Sequence, residues 1–130
     1  MKLLLDTHIV VWLMSDAERL GELELQAIHA PDAELFISAV TVLEIRAKWL
    51  AAHRSNRTWP IPPAAVLEFA RINGVSMVPL TPETCASELS SQPDHGDPFD
   101  EMLLAQAAAV EGRLVTRDRQ LREHPLAYQP

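Results

Sequence analysis

The stretch "LLLDTHIVVWLM", Leu3 to Met14, decides the fold. Leu3 to Leu5 read as a short strand that ends at Asp6, and Thr7 offers a polar cap for the helix-length apolar segment after it. A strand that turns at once into a helix is the opening unit of an alternating α/β chain. The same stretch imitates a secretion signal, but Asp6 interrupts the apolar run before such a segment could form, so a cytoplasmic first strand is expected.

The alternation continues outward. A second helix is expected over Leu23–Ala30, a turn at "PDAE", and a strand at Leu35–Ser38. "AVTVLEIRAKWLAAH" reads as helix throughout, and "SNRTWPIPP", with three prolines, as the clearest loop. Helix resumes over Ala64–Ile72 and Gly74 closes it. "VSMVPL" reads as a third strand that Pro79 pushes toward a sheet edge or strand end. Thr81 caps a helix predicted over Pro82–Leu89; after the "SQPDHG" loop come the "DPFDEMLLAQAAA" helix and the fourth strand "RLVTR". Strands alternating with helices imply a mostly parallel sheet covered on both faces, with its site at the carboxyl ends of the strands.

Composition narrows the function. At 130 residues and 48% apolar content, the chain suits one globular domain, and apolar runs such as Leu3–Leu5 and Ile9–Leu13 are too short to span a membrane. The lone Cys85 excludes an internal disulfide framework and a cysteine-based zinc site. A net charge of −7 argues against a general nucleic-acid binder working by blanket phosphate neutralisation, though it allows a nuclease whose acids gather around a cation.

Four acids fall where such a site would form. Asp6 and Asp118 follow the first and fourth strands. Glu44 shares a helical stripe with Val40, Ala47 and Ala51, and Asp100 one with Leu103, Leu104 and Ala107, so both are expected to face inward near helix starts. Each acid alone has a plain structural explanation: a turn, a cap, a partner for Arg46 or a nearby lysine. Together, on four separated elements, they would repel unless a cation held them, and oxygen-only ligands select Mg²⁺ or Mn²⁺. Such a site makes metal-assisted phosphoryl chemistry plausible.

"LLLDTH", "SAVTVLEI", "HGDPFDEMLLAQA" and "LVTRD", in that order, resemble the PIN-domain ribonucleases, in particular the VapC-type toxins of bacterial toxin-antitoxin pairs. The resemblance spans the chain and implies a single PIN-like domain over 1–130, a three-layer α/β fold with a central, mostly parallel sheet flanked by helices. It implies a homodimer that cuts RNA with Mg²⁺ or Mn²⁺, inhibits translation and growth, and is restrained by a VapB-like antitoxin. By position, the catalytic and metal-binding acids fall on Asp6, Glu44, Asp100 and Asp118. Thr7, Thr116 and Asp97 stand beside them, as groups that orient the acids or as further ligands. Gln120 occupies the neighbourhood where many relatives carry another acid or amide, which leaves one metal or two open.

Two readings stand for Asp97: a ligand, or the N-cap of the helix that Pro98 starts, its carboxylate accepting the Asp100 amide. The alternative to an enzyme is a non-catalytic module that keeps the fold and only binds RNA or a partner. A phosphatase-like or receiver protein would want an acidic pair and a late lysine; the only lysines are Lys2 and Lys48. His8, His29, His53, His95 and His124 lack metal-ligand spacing and read as surface or loop residues, with His8 near enough to Asp6 to touch substrate. Two basic groups, one with Arg46 and Lys48 and one with Arg117, read either as RNA-backbone contacts or as solvated faces. Trp12, Trp49 and Trp59 read as core, or as a groove for a partner helix.

Overall fold

The computed structural model describes residues 1–93 and 96–130; Asp94 and His95, expected in the loop before the "DPFD" helix, lie outside the described residues. In chain order the elements are β1 (Lys2–Leu5), α1 (Thr7–Ser15), a 3-10 turn (Ala17–Arg19), α2 (Glu22–Ile28), β2 (Glu34–Ser38), α3 (Ala39–Arg54), α4 (Pro63–Asn73), β3 (Ser76–Val78), α5 (Pro82–Ala86), α6 (Pro98–Ala109) and β4 (Arg113–Val115). The strands form one parallel sheet in the order β3-β2-β1-β4. β3 lies at an edge with Pro79 just beyond it, so its missing N–H interrupts no ladder. At the other edge, Leu114 exchanges backbone hydrogen bonds with Leu126 and Tyr128, so the C-terminal segment covers β4.

β1 is central, and Leu3, Leu4 and Leu5 are each 0% exposed. Alternate side chains leave opposite faces of a strand, and two core clusters follow. Leu3 and Leu5 pack with Ile9, Ile37, Ile45 and Val66, drawn from α1, β2, α3 and α4; Leu4 packs with Leu103, Leu104 and Leu114, drawn from α6 and β4. An unbroken leucine run is therefore what a strand covered on both sides requires. The result is the expected three layers.

Close approaches and caps set the register. Gly74 ends α4 at φ 67°, a left-handed conformation that favours glycine. Gly112 leads into β4 so close to β1 that a Cβ there would stand 2.7 Å from the Lys2 carbonyl oxygen. Gln106, fully buried in α6, accepts a hydrogen bond from Ser38 Oγ at 2.8 Å and donates to the Pro79 carbonyl at 3.2 Å, tying α6 to the ends of β2 and β3.

Three local expectations are corrected. Asp6, and not Thr7, is the N-cap of α1; its carboxylate accepts the Thr7 amide, and Thr7 is the first helical residue. Thr81 does cap α5 through the Thr84 amide, but the helix stops at Ala86 instead of Leu89, where the Ser87 backbone turns extended. On α3 the buried side chains are Val40, Thr41, Ile45 and Ala52, while Ala47 and Ala51 are exposed. Glu44 is thus half-buried at the flank of the packed face, and as the sixth residue of α3 it lies beyond the first turn, where the dipole is strongest.

Candidate active site

The chain reverses its direction of sheet growth at β1: β2 and β3 are added on one side and β4 on the other. Such a switch point opens a crevice beyond the carboxyl ends of the two flanking strands. Asp6 ends β1 there, and because Leu5 pairs with Val115, Thr116 stands beside it at the end of β4. α3 starts from the carboxyl end of β2, and α6 runs toward the start of β4, so its N-terminus points back to the same edge. Gln106 touches Ser38 at the end of β2; Asp100, six residues earlier, lies about 9 Å further out along the axis. Topology alone thus delivers Asp6, Glu44, Asp100 and Asp118 to one edge.

Asp6 is only 4% exposed, and both its oxygens are engaged: Oδ1 accepts the Thr7 amide at 2.7 Å and Oδ2 the Thr116 hydroxyl at 2.7 Å. Burial nevertheless raises its pKa above the ordinary carboxylate value; the bonds from Thr116 and Thr7 and the nearby His8 oppose the rise, and Glu44 adds to it. Thr7 Oγ1 donates to Glu44 Oε1 at 2.8 Å and meets Thr41 Oγ1 at 3.1 Å. A hydroxyl has one proton, so Thr41 is the donor to Thr7, and the chain Thr41–Thr7–Glu44 fixes the carboxylate. Thr41 was not singled out from sequence; its position three residues before Glu44, on the same helical face, was the available signal.

On the β4 side, Thr116 Oγ1 also accepts the Asp118 amide at 3.0 Å, and Asp118 Oδ1 accepts the Gln120 amide at 2.9 Å. One threonine therefore couples the first and last acids, and the residue at 120 contributes through its backbone. Asp97 caps α6, with Pro98 at the first position, but its carboxylate accepts the Phe99 amide at 2.9 Å, not the Asp100 amide expected from sequence. Asp100 is half-buried, on the face that continues through the buried Leu103, Leu104 and Ala107.

As the side chains stand, no three His, Cys, Asp or Glu residues among the described residues cluster tightly enough to hold a metal ion. The donor chemistry still fits a hard divalent cation: the acids supply oxygen only, and a cation would relieve the desolvation that disfavours the charged form of Asp6.

The basic residues are largely engaged. Arg117 Nε pairs with Glu24 at 3.2 Å, its guanidinium lies 5.6 Å from the centre of the Trp12 ring, and Nη1 donates to the Arg19 carbonyl. It ties the end of β4 to α2 and the 3-10 turn while remaining partly solvent-exposed. Lys48 pairs with Glu44 at 3.5 Å and stands 5.4 Å from the centre of the Trp59 ring; Arg46 is exposed. Trp12 and Trp59 are partly buried against the core, while the Trp49 ring lies against that of His53, tilted by 51° with centroids 4.4 Å apart. His8 is exposed on the first turn of α1 and lies 5.8 Å from Trp12.

Comparison with known proteins bears on the family and the fold. The model of the PIN domain matches residues 3–125. The chain is 34% identical over 123 residues to ribonuclease VapC22 of Mycobacterium tuberculosis (strain ATCC 25618 / H37Rv), a match covering 93% of this chain and 90% of that protein. Among solved structures, VapBC2 from Rickettsia felis, bound to a DNA fragment from their promoter, contains a chain that superposes with a TM-score of 0.59 at 13% identity, over 98% of this chain and 96% of that one; at this identity the likeness concerns the fold. With the parallel sheet, the acids at its switch point and a family match over nearly the whole length, the chain belongs to the PIN-domain family, in its VapC-type branch.

Proposed function

We propose that this protein is a divalent-metal-dependent endoribonuclease that acts in the cytoplasm as the toxin of a VapBC-like pair, cutting RNA and thereby arresting translation and growth. The observation that carries the reading is the carboxyl-edge assembly in which Thr116 and Thr7 orient Asp6 and Glu44 through bonds of 2.7 and 2.8 Å. Asp6, Glu44, Asp100 and Asp118 would hold Mg²⁺ or Mn²⁺. When bound, the cation supplies the positive charge that activates water and offsets charge on the leaving oxygen.

The protein's own contribution is positioning. Thr116 holds Asp6 and, through the Asp118 amide, sets the turn that presents Asp118. The Thr41–Thr7 pair sets Glu44, and the Asp97 cap orders the turn carrying Asp100. Thr116 also lines a cleft of about 330 Å³ with Leu23, Glu24, Arg122 and Tyr128, on the side of β4 away from Glu44 and Asp100, which do not line it. Arg46 is exposed on α3 but lines the apolar face with Leu43 and Leu67, away from Glu44, so it is placed for a partner chain and not for RNA beside the acids; Arg117 serves more as a strut.

A VapB-like antitoxin is the proposed partner, its basic tail drawn to the acids of a chain with net charge −7. A homodimer is proposed as the working form; Leu43 and Leu67, 48% and 51% exposed beside Met77, supply an apolar face for assembly. Among the described residues no helix is long and apolar enough to cross a membrane.

The test is cleavage of RNA by purified protein with Mg²⁺ or Mn²⁺, with chelator, and after Asp6→Asn, which keeps the side chain's shape and removes its charge. Loss of cleavage in both controls is expected. Undiminished cleavage in either would overturn the metal-site assignment, and a wild-type protein that binds RNA without cutting it would favour the non-catalytic module.

A further inference from the structure

Both oxygens of Glu44 are engaged, one of them by a cation that the chain itself provides. Oε1 accepts the Thr7 hydroxyl at 2.8 Å; Oε2 lies 3.5 Å from Lys48 Nζ. The side chains of Lys48 and Glu44 are 34% and 17% exposed, so this pair is more sheltered than a typical pair on an open helix. The ammonium also stands 5.4 Å from the centre of the Trp59 ring, which reaches it from the segment between α3 and α4. Trp59 packs against the core, and its buried indole N–H has no hydrogen-bond partner among the described residues, so packing holds the ring in place. A helix-stabilising pair one turn apart needs no aromatic berth from another segment. Here one berth and one stem direct an ammonium onto a carboxylate of the active edge.

We propose that Lys48 is a built-in competitor for the divalent cation at Glu44: its ammonium and the metal contend for Oε2, so metal loading must displace it. The proposal rests on the metal-dependent reading of the site. It ascribes to Lys48 the positioning of Glu44 and not contact with the reacting atoms. An ammonium one helical turn from a bound dication, screened by water, corresponds to roughly tenfold in affinity, and the effect shrinks as salt rises. Loading would then move Lys48 away from Glu44 toward solvent, on the side of α3 opposite Arg46.

The experiment is Mn²⁺ binding followed by electron paramagnetic resonance at low and high salt on the full chain, comparing wild type, Lys48→Met, Lys48→Arg and Arg46→Gln. Methionine keeps the stem over Trp59 without the charge. Lys48→Met is expected to tighten binding about tenfold at low salt, Lys48→Arg to stay near wild type, and Arg46→Gln to change affinity far less. A second measurement needs no variant: amine-reactive labelling of Lys48, read by peptide mass spectrometry, is expected to rise when Mn²⁺ is added, with the only other lysine, the exposed Lys2, as internal control. Equal affinity for Lys48→Met and wild type, a gain no larger than that of Arg46→Gln, or Lys48 labelling indifferent to Mn²⁺ would overturn the proposal while leaving the metal site standing. Absence of Mn²⁺ binding in every form would instead overturn the metal-dependent reading beneath it.

Discussion

Asp97 and Asp100 stand three residues apart at the start of α6, in different surroundings. Asp97 Oδ1 accepts the Phe99 amide at 2.9 Å as the helix cap, while Asp100 lies on the face that carries the buried Leu103 and Leu104. Replacing Asp97 by Ala removes the cap, a loss of about 1 kcal/mol, with a few tenths more from the carboxylate at the positive end of the helix. For 130 residues the entropy of unfolding is about 0.27 kcal/mol/K, so the melting temperature should fall by about 4–5 °C. The same energy multiplies the frayed population of the first turn by only ~5–10, so an otherwise well-formed turn stays mostly intact and cleavage drops by a few-fold at most. Asp97→Ser restores a capping oxygen and should recover both quantities. Asp100→Asn, by contrast, should leave the melting temperature within about 2 °C and reduce cleavage by at least ~100-fold, the order expected for losing a group that stabilises the transition state. Thermal melts and single-turnover cleavage of a labelled RNA on the three variants decide the matter. An Asp97→Ser protein as inactive as Asp100→Asn, with unchanged thermal stability, would refute the division of labour and place both aspartates in the metal site.

Two further outcomes follow from the Asp6 environment. Its pKa is raised in the folded protein, chiefly by burial, so its contribution to stability is fully present below the ordinary value of 3.8 and is lost as pH rises through the raised folded value. Metal-free Asp6→Asn should therefore melt higher than the wild type near neutral pH, with the gap closing toward pH values below about 4; a variant that melts lower across the whole range would contradict the desolvated carboxylate. Thr116→Val removes both the bond to Asp6 and the acceptor for the Asp118 amide, and should lower metal affinity or cleavage by ~10–100-fold while Thr116→Ser retains both; equal loss in the two variants would show that the hydroxyl is not what matters.

Much of this molecule was legible from residue order alone. Unbroken apolar triplets, glycine stops and proline positions depend on neighbours within a few residues, which is why the strand at Leu3–Leu5, the start of α6 at Pro98 and the close of α4 at Gly74 could be read directly, and why Pro79 pointed to a sheet edge or strand end at β3. The alternation of strands and helices also sufficed to send Asp6 and Asp118 to the carboxyl edge, because a parallel sheet leaves no other place for residues that end its strands.

What required the tertiary structure was the orientation of side chains around that edge. Stripe counting placed Glu44 inward with Ala47 and Ala51, yet those alanines are exposed; the packed face of α3 is chosen by where α4, α6 and α1 lie, which no periodicity within α3 encodes. The cap of α1 moved from Thr7 to Asp6 because the chain turns at the end of β1, and that freed the Thr7 hydroxyl to reach Glu44 across 37 residues of sequence. Arg117, beside Asp118 in the sequence, turns instead toward Glu24 and Trp12, and Lys48 finds Glu44 on one side and the Trp59 ring on the other. Hydrogen bonds and ion pairs act over about 3–4 Å, and chain distance says little about which groups come that close once the layers have packed. The strand-end and helix-start positions of the proposed acids were thus local information, and the threonines, the lysine and the arginine around them were placed only by the packing of the three layers.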